Sequence, residues 1–246
     1  MQHALYSAVP GATGPARDCR LLEGVIGRLP AFRQLSRKDL DALANQSRLR
    51  ESRRGSVIVG RGERMPGVTA LVNGSAKLAL RRANGEAKVL RLLGPGDSFG
   101  LATALLDRPS PVEVVALSNC LVATVPPAAL LRLLENHAGF ARTVARTLAE
   151  RVLELVSELD ASLQQSGLQR LACYLNTLAQ VNGHDGAWVV RLPATKTTVA
   201  ARLGVKKETL SRMLRELAER NLIEVSGLEV AVLDRAGLGR LANAPD

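Results

Sequence analysis

The feature that most restricts the fold of this chain is a long segment, residues 138–166, which contains no proline and has glycine only at its ends. Because proline and glycine destabilise a helix interior most, the segment is predicted to form one continuous helix. Apolar residues recur within it at four–three–four spacing, namely Leu148, Val152, Leu155 and Leu159. With charged neighbours on both sides, this is the pattern of a coiled-coil seam, which favours pairing with a second copy of the chain. The alternative is that the stripe packs on the chain's own upstream domain.

The length and composition allow two modest domains with separate cores. The chain has 246 residues, of which 46% are hydrophobic and 2% aromatic, so aliphatic side chains must build those cores. The formal net charge of +10 favours a polyanionic partner such as nucleic acid, although it also fits plain solubility.

The chain lacks the signals of a membrane protein, a secreted protein or a metalloprotein. No apolar run approaches the roughly 18 residues of a membrane span, and no signal peptide opens the sequence, which predicts a cytoplasmic protein with no membrane partner. Its cysteines, Cys19, Cys120 and Cys173, are odd in number and widely spaced. This spacing argues against a disulfide framework, and no metal site is predicted.

The part of the chain before the long helix divides into three stretches. Residues 1–20 are predicted to be a flexible N-terminal segment, and residues 21–45 show helical periodicity. Within the latter, Ser36 followed by Asp39 has the spacing of a capping box. From about 46 to 126, short apolar stretches alternate with glycine-containing turns, which predicts a β-sandwich or jelly roll. The expected strands lie at 57–59, 68–72, 78–80, 89–93, 112–115 and 121–125.

The segment that follows the long helix carries the pattern of a helix-turn-helix. A first helix is predicted from Thr197 to Leu203, ending at Gly204, and a second begins near Lys206. The predicted buried positions are Leu203, Val205, Leu210, Met213, Leu214 and Leu217.

The second helix leaves one continuous polar stripe on the side opposite that core, made of Lys207, Glu208, Ser211 and Arg212. Such a stripe fits a recognition helix in the major groove, where arginine can bind guanine and glutamate can accept from cytosine. Three further residues are better placed for phosphates, namely Thr197, Thr198 and Lys206.

A hairpin is predicted next, from residues 222–225, a Ser226–Gly227 turn and residues 230–233, and would form a wing. The alternative for the whole segment is an ordinary helical hairpin with a solvated charged face. The upstream helix with its seam favours the DNA-binding interpretation.

Over residues 21–241 the sequence resembles the cyclic-AMP receptor protein / fumarate and nitrate reductase regulator (CRP/FNR) family. The resemblance lies in the PGDSFG turn at Pro95–Gly100, the long helix, and the ETLSR motif at Glu208–Arg212. It implies an α+β fold with an N-terminal jelly-roll sensor domain of the cyclic-nucleotide-binding type at 21–137. A dimerisation helix at 138–166 and a winged helix-turn-helix at 167–246 would follow.

The recognition motif resembles the FNR-like class, whose half-site is TTGAT. The cyclic-AMP side of the family has arginine before the glutamate and glycine in place of the serine, whereas this chain has Lys207 and Ser211 there. The resemblance therefore implies Glu208, Ser211 and Arg212 as base-reading residues. It also implies a homodimeric, non-enzymatic transcription activator that binds double-stranded palindromic DNA and RNA polymerase.

The sensor domain departs from the family members that bind cyclic AMP. In those proteins a glutamate follows the Phe-Gly pair and an arginine about nine positions later pairs with the phosphate. Here those positions hold Leu101 and Ser110, while Arg108 precedes the second by two. Because a buried phosphate needs a charge-assisted partner, the nucleotide site is predicted to be lost.

The oxygen-sensing members hold an iron–sulfur cluster with four cysteines, three of them near the N-terminus. Only Cys19 lies there in this chain, and Cys120 is displaced from the matching central position, Ala123, so that cluster is not expected. The remaining resemblance is to nitric-oxide-responsive regulators of denitrification, which are thought to use haem. The candidate axial ligands are His3, His137, His184 and the cysteines, of which His137 is best placed.

Two other classes of function are alternatives for this sequence. An enzyme is not predicted, because no histidine lies near a carboxylate or cysteine in a motif and no phosphate-binding glycine loop is present. A cyclic-nucleotide-responsive regulator or interaction protein, which would use the barrel as a small-molecule sensor, is the main alternative. The recognition stripe and the wing argue against a pure interaction protein.

Overall fold

Short antiparallel strands build the first part of the chain, as its glycine-punctuated sequence predicts. The computed structural model describes residues 15–81, 87–182 and 188–242. Within these, one compact unit comprises 15–81 and 91–151, and a second comprises 87–90, 152–182 and 188–242. The strands of the first part are β1 (Arg48–Ser52), β2 (Val57–Val59), β3 (Val68–Asn73), β4 (Ala76–Arg81), β5 (Ala87–Leu93), β6 (Ser98–Phe99), β7 (Glu113–Ala116) and β8 (Cys120–Val125).

These strands form two four-stranded sheets, ordered β1-β8-β3-β6 and β2-β7-β4-β5. Residues from both sheets share one apolar cluster, which includes Ile58 and Val114 from one sheet and Leu71 and Val122 from the other. The predicted jelly-roll-type fold of this part is thereby confirmed. Strands β1 and β6 were not predicted, because β1 is mostly charged in sequence and β6 has only two residues.

Helices flank the sheets of the first unit: α1 (Pro15–Ile26), a 3-10 turn (Pro30–Phe32), α2 (Arg37–Ala44), α3 (Leu101–Leu106), α4 (Pro127–Asn136) and the start of α5 (Ala138–Gln164). The flexible segment predicted for residues 1–20 is wrong from Pro15 onward, because proline suits a first helical position; residues 1–14 lie outside the described part. The predicted cap of α2 is confirmed, since Ser36 Oγ accepts a hydrogen bond from the N–H of Asp39 at 3.2 Å.

The beginning of α5 is anchored in the core of the first unit. Phe140 and Val144 are buried there, and the rings of Phe32 and Phe140 lie 5.3 Å apart between centroids. The two compact units divide within this helix, between Arg151 and Val152, rather than at its predicted start at residue 138. The reason is that the first turns of α5 pack on the sensor core while the later turns do not.

The second unit consists of helices around a small sheet. Its elements are the distal part of α5, then α6 (Gly167–Asn182), β9 (Trp188–Arg191), α7 (Lys196–Leu203), α8 (Lys207–Glu219), β10 (Ile223–Ser226), β11 (Glu229–Val232) and α9 (Arg235–Ala242). The sheet order is β10-β11-β9, so the predicted hairpin is present and gains a third strand. Sequence reasoning missed β9 because its four residues stand alone between a helix and a turn.

An aliphatic core, as the low aromatic content requires, holds the second unit together. Leu171 and Leu175 of α6 meet Val199 of α7, Leu210 of α8 and Val230 of β11 in one buried cluster. None of the helices in the described ranges combines the length and apolar character that crossing a bilayer requires.

Candidate nucleic-acid interface and sensor site

Two short helices joined by a tight turn form the centre of the candidate interface. The hydroxyl of Thr195 caps α7 by accepting a hydrogen bond from the N–H of Thr198. At the other end, Gly204 has φ 73°, in the left-handed region where a side chain would be strained. This glycine ends α7 and lets the chain enter α8 within two residues, as the sequence predicts.

Helix α8 has one buried face and one exposed face. Leu210, Met213, Leu214 and Leu217 are buried in the core of the second unit. The predicted polar stripe lies on the other side, and all of its members are exposed: Lys207, Glu208, Ser211 and Arg212. The structure therefore brings the four candidate base-reading residues together on one solvent-facing surface.

The residues assigned to phosphate contacts do not all share that exposure. Thr197 and Lys206 are exposed. Thr198 is only 9% exposed, and its hydroxyl lies 3.1 Å from that of Thr195. The Thr198 hydroxyl is therefore engaged at the start of α7 and is much less accessible than Thr197, and its phosphate contact stays a prediction.

A groove of about 580 Å³ runs between α8 and the wing and begins at the recognition stripe itself, with Ser211. Its floor is apolar, with Leu214 and Ile223, while Lys196 and Arg215 supply positive charge. In the described part of the chain, neither of these two cations has an ion-pair partner. Lysine and arginine are the side chains that most often contact phosphates in protein–DNA complexes.

Sequence reasoning missed Lys196 and Arg215, although one signal for Arg215 was available. Lys207, Ser211 and Arg215 follow each other at intervals of four residues, so the polar stripe continues one turn further along α8. Lys196 had no such signal, because it lies on a different helix and reaches the groove only through the tertiary fold.

The apolar stripe of α5 is solvent-exposed in the single chain over its distal part. Val152 is 57% exposed, Leu155 44% and Leu159 59%, and Val156 extends the same stripe. Leu148, the first of the predicted seam residues, is partly buried against the core of the first unit. The exposed apolar surface therefore starts at Val152, one helical turn later than the sequence pattern predicts.

In the sensor unit, the position that would hold the phosphate-binding arginine is closed. Ser110 is 4% exposed, and its hydroxyl donates a hydrogen bond of 2.7 Å to the carbonyl of Val112. Its backbone N–H donates to the carbonyl of Glu63. Arg108 is exposed, and Leu101, at the start of α3, packs against the apolar core.

The entry of α3 is covered by a methionine. Gly100 has φ 85°, and a Cβ atom placed on it would come within 2.2 Å of the Met65 methyl carbon. Met65 is itself buried in the core between the two sheets. An apolar side chain therefore packs against the backbone turn that precedes Leu101, the position where the resemblance places a nucleotide-binding glutamate.

The best-placed candidate haem ligand has a carboxylate neighbour. His137 lies between α4 and α5, and its Nε2 is 3.5 Å from Asp39 Oδ1. Cys19 Sγ lies 3.4 Å from Asn45 Oδ1, Cys120 is buried, and Cys173 is exposed on α6. His3 and His184 fall outside the described residues. Across ranges 15–81, 87–182 and 188–242, no group of three His, Cys, Asp or Glu side chains could hold a metal ion.

One titratable group of the second unit is strongly perturbed. The hydroxyl of Tyr174 on α6 is buried and has no hydrogen-bond partner among the described residues. Burial raises the pKa of Tyr174 to about 12, although the positive charge of Arg202 opposes the shift.

Two family models match separate parts of the chain. Residues 49–137 match the cyclic nucleotide-binding domain, and residues 169–241 match the Crp-like helix-turn-helix domain. These ranges coincide with the sheets of the first unit and with the helices and wing of the second.

The chain is similar to curated transcription regulators and to a solved structure over most of its length. The chain is 26% identical to the HTH-type transcriptional regulator Cmr of Mycobacterium tuberculosis, over 96% of this chain and 93% of that one. It is 23% identical to the CRP-like cAMP-activated global transcriptional regulator of the same species, over 90% and 100%. The structure of FixK2 from Bradyrhizobium japonicum superposes with a TM-score of 0.71 at 21% identity, covering 81% of this chain and 99% of that one.

Proposed function

Because the chain belongs to the CRP/FNR family of transcription regulators, we propose that it binds a palindromic DNA site as a homodimer. Helix-turn-helix regulators of this family bind DNA and are not enzymes as a class. The observation that carries the proposal is the exposed polar face of α8, which lies opposite a fully buried apolar face.

Three side chains on that face read the half-site, which we propose to be of the TTGAT type. Arg212 donates two hydrogen bonds to guanine O6 and N7, and Glu208 accepts one from the amino group of a cytosine. Ser211 contacts a neighbouring base or phosphate. Lys206 and Thr197 contact the DNA backbone and set the register of the helix without reading sequence.

The second copy pairs through the distal stripe of α5. Val152, Leu155 and Leu159 expose apolar surface at helical spacing, and water is a poor solvent for such a continuous stripe. Self-association buries it and presents two recognition helices with two-fold symmetry, which matches a palindrome. RNA polymerase is the further partner expected of an activator of this family.

The signal sensed by the barrel is proposed to be something other than cyclic AMP, with nitric oxide, oxygen or redox state as the leading class. Ser110 supports the departure from cyclic AMP, because it places a self-satisfied hydroxyl where a nucleotide phosphate would need charge. A haem group at His137 finds little support in its surroundings, and no step of the mechanism depends on it. A cyclic-nucleotide-responsive regulator remains the second candidate, which the domain match over residues 49–137 favours.

The deciding experiment measures fluorescence anisotropy of labelled duplexes at two salt concentrations. One duplex carries a TTGAT palindrome and the other a scrambled sequence of equal length. The wild-type protein is expected to bind the palindrome more tightly at both salt concentrations. Sedimentation of the complex is expected to show one dimer bound to the two half-sites. Equal affinity for both duplexes would contradict sequence-specific recognition. Repeating the titration with nitric oxide, and separately with cyclic AMP, distinguishes the two candidate signals.

A further inference from the structure

The wing of this protein carries an unusual charge for a DNA-binding element. Residues 222–233 contain no lysine or arginine, and their only ionisable side chains are Glu224 and Glu229. Both are exposed. A wing that gripped the DNA backbone directly would be expected to carry cations, since phosphate contacts come mostly from arginine, lysine and neutral donors.

The two wing carboxylates have different surroundings. Glu224, on β10, lines the same groove as Lys196, Ser211 and Arg215. It forms no ion pair with either cation in the described part of the protein. Glu229 lies at the end of the hairpin, directly opposite Arg191 of β9 in the strand register, and does not line the groove.

A polyanion that follows α8 from Ser211 along this groove therefore meets two positive charges and one negative charge. The positive charges attract phosphates, and each neutralised phosphate releases counterions. The Glu224 carboxylate opposes this attraction, and in the described part of the protein it forms no hydrogen bond or ion pair with a base-reading side chain. Its effect acts on the backbone and is independent of base sequence.

We propose that Glu224 is an affinity-setting residue, which lowers the binding of any DNA duplex along the groove and leaves discrimination between sequences to α8. The proposal rests on the DNA binding proposed above. The ligand that lies in the groove is the phosphodiester backbone of the DNA. The absolute affinity and its salt dependence are thereby set by the wing, separately from the base contacts of Arg212.

The test compares Glu224→Gln and Glu224→Lys with the matched controls Glu229→Gln and Glu229→Lys, on palindromic and scrambled duplexes. Removing the groove carboxylate is expected to raise affinity about two- to five-fold on both duplexes, leaving their ratio unchanged. It should steepen the slope of log K against log salt by about one unit, and lysine should extend both changes. The Glu229 variants are expected to stay within about two-fold of wild type at moderate salt, since a distant exposed charge is screened.

Melting temperatures of all four variants confirm that the wing is folded. Equal shifts at both positions would overturn the proposal, because they would report only net charge, and so would an unchanged Glu224→Lys variant. A change in the ratio between duplexes would also overturn it. Failure of DNA binding itself is recognised separately, since the wild-type protein would then bind neither duplex.

Discussion

Arg212 and Lys206 lie close together in sequence, but we expect them to contact DNA in different ways. Arg212 projects from the exposed stripe of α8, whereas Lys206 precedes the helix at its N-cap position. Replacing Arg212 with alanine is expected to cost about 1–3 kcal/mol on the preferred site and to relax the preference at one base pair, the guanine of the half-site. Lys206→Ala should weaken binding to all sequences about equally and reduce the salt slope by about one unit.

Titrations on matched and single-mismatch palindromes measure this difference, with Glu208→Ala as a third variant. Losing the Glu208 carboxylate is expected to lower specificity while sequence-independent binding rises, because one negative charge leaves a polyanion interface. Identical behaviour of Arg212→Ala and Lys206→Ala across sequences would show that α8 does not read bases.

Thr197 and Thr198 are adjacent but lie on opposite sides of the start of α7. Thr197 is exposed, and Thr198 is buried against the cap. Thr197→Ala is expected to weaken DNA binding on all sequences with little change in melting temperature. Thr198→Ala is expected to lower stability by about 1 kcal/mol, because it removes a buried side chain and its hydrogen bond. Thermal melts and anisotropy titrations on both variants check this, and a DNA-binding loss confined to Thr198→Ala would reverse the assignment.

The stability of the protein should depend on alkaline pH through Tyr174. Burial raises the pKa of Tyr174 from 10.0 to about 12, so between these values the unfolded chain releases a proton that the folded protein keeps. The free energy of unfolding therefore falls as pH rises in this window, by at most about 1.4 kcal/mol per pH unit from this group. Tyr174→Phe should flatten that slope and cost little below it, because the hydroxyl has no hydrogen-bond partner in the described structure. Denaturant unfolding of the wild type and of Tyr174→Phe, below pH 10 and between pH 10 and 12, measures how the free energy of unfolding depends on pH. Equal slopes for the two proteins between pH 10 and 12 would contradict the expectation.

At the scale of single elements, α5 combines two different environments in one helix. Its first turns are buried in the sensor core through Phe140 and Val144, and its distal turns expose Val152, Leu155 and Leu159. The division explains why Leu148 fits the heptad pattern in sequence but packs within its own chain. Only the distal stripe is available to a second copy.

Leu155→Glu is expected to convert the dimer to a monomer and to abolish palindrome binding while the fold is kept. A carboxylate in the centre of a packed apolar seam is desolvated without a partner, which costs several kcal/mol. Leu153→Glu is a matched control, because Leu153 is 67% exposed and lies roughly 120° around the helix from the stripe. Sedimentation velocity is expected to give a monomer for the first variant and a dimer for the second. A dimer of wild-type strength in Leu155→Glu would remove the distal stripe from the interface.

At the scale of the whole molecule, the chain joins a sensor unit to a DNA-binding unit. The two units differ in how many of the family's functional residues they retain. The DNA-binding unit keeps the recognition pattern at Glu208–Arg212 on an exposed helix face. The sensor unit keeps the paired sheets but has Leu101 and Ser110 at the positions that would bind nucleotide. The first unit therefore keeps the fold of the cyclic nucleotide-binding domain, and we propose that its ligand chemistry differs.

Cyclic AMP at millimolar concentration is expected to leave the melting temperature unchanged. No guanidinium is available at Ser110 to balance a buried phosphate, and ligand binding to the folded state alone would raise the melting temperature. Differential scanning fluorimetry, supported by isothermal titration, measures the shift. A clear increase in melting temperature would show that a positively charged side chain at another position binds the phosphate, and it would favour the second candidate function.

The local pattern of the sequence by itself determined the kinds of elements and their order. Proline-free periodicity predicted α5, glycine spacing predicted most strands of the two sheets, and Gly204 predicted the turn into α8. These signals are local, because they depend on backbone preference and on the repeat of apolar residues within one element. For the same reason the exposed stripe of Lys207, Glu208, Ser211 and Arg212 could be predicted without coordinates.

The contacts between elements were decided only by the tertiary structure. Sequence periodicity did not indicate the burial of Thr198 or the inward packing of Leu148. It also did not indicate that β9 pairs with the wing, or that Lys196 and Glu224 lie in one groove with Arg215. The periodicity of a helix or strand does not indicate which neighbouring element each of its faces packs against. Close packing decides it, since each apolar face takes the partner that excludes water with the fewest gaps.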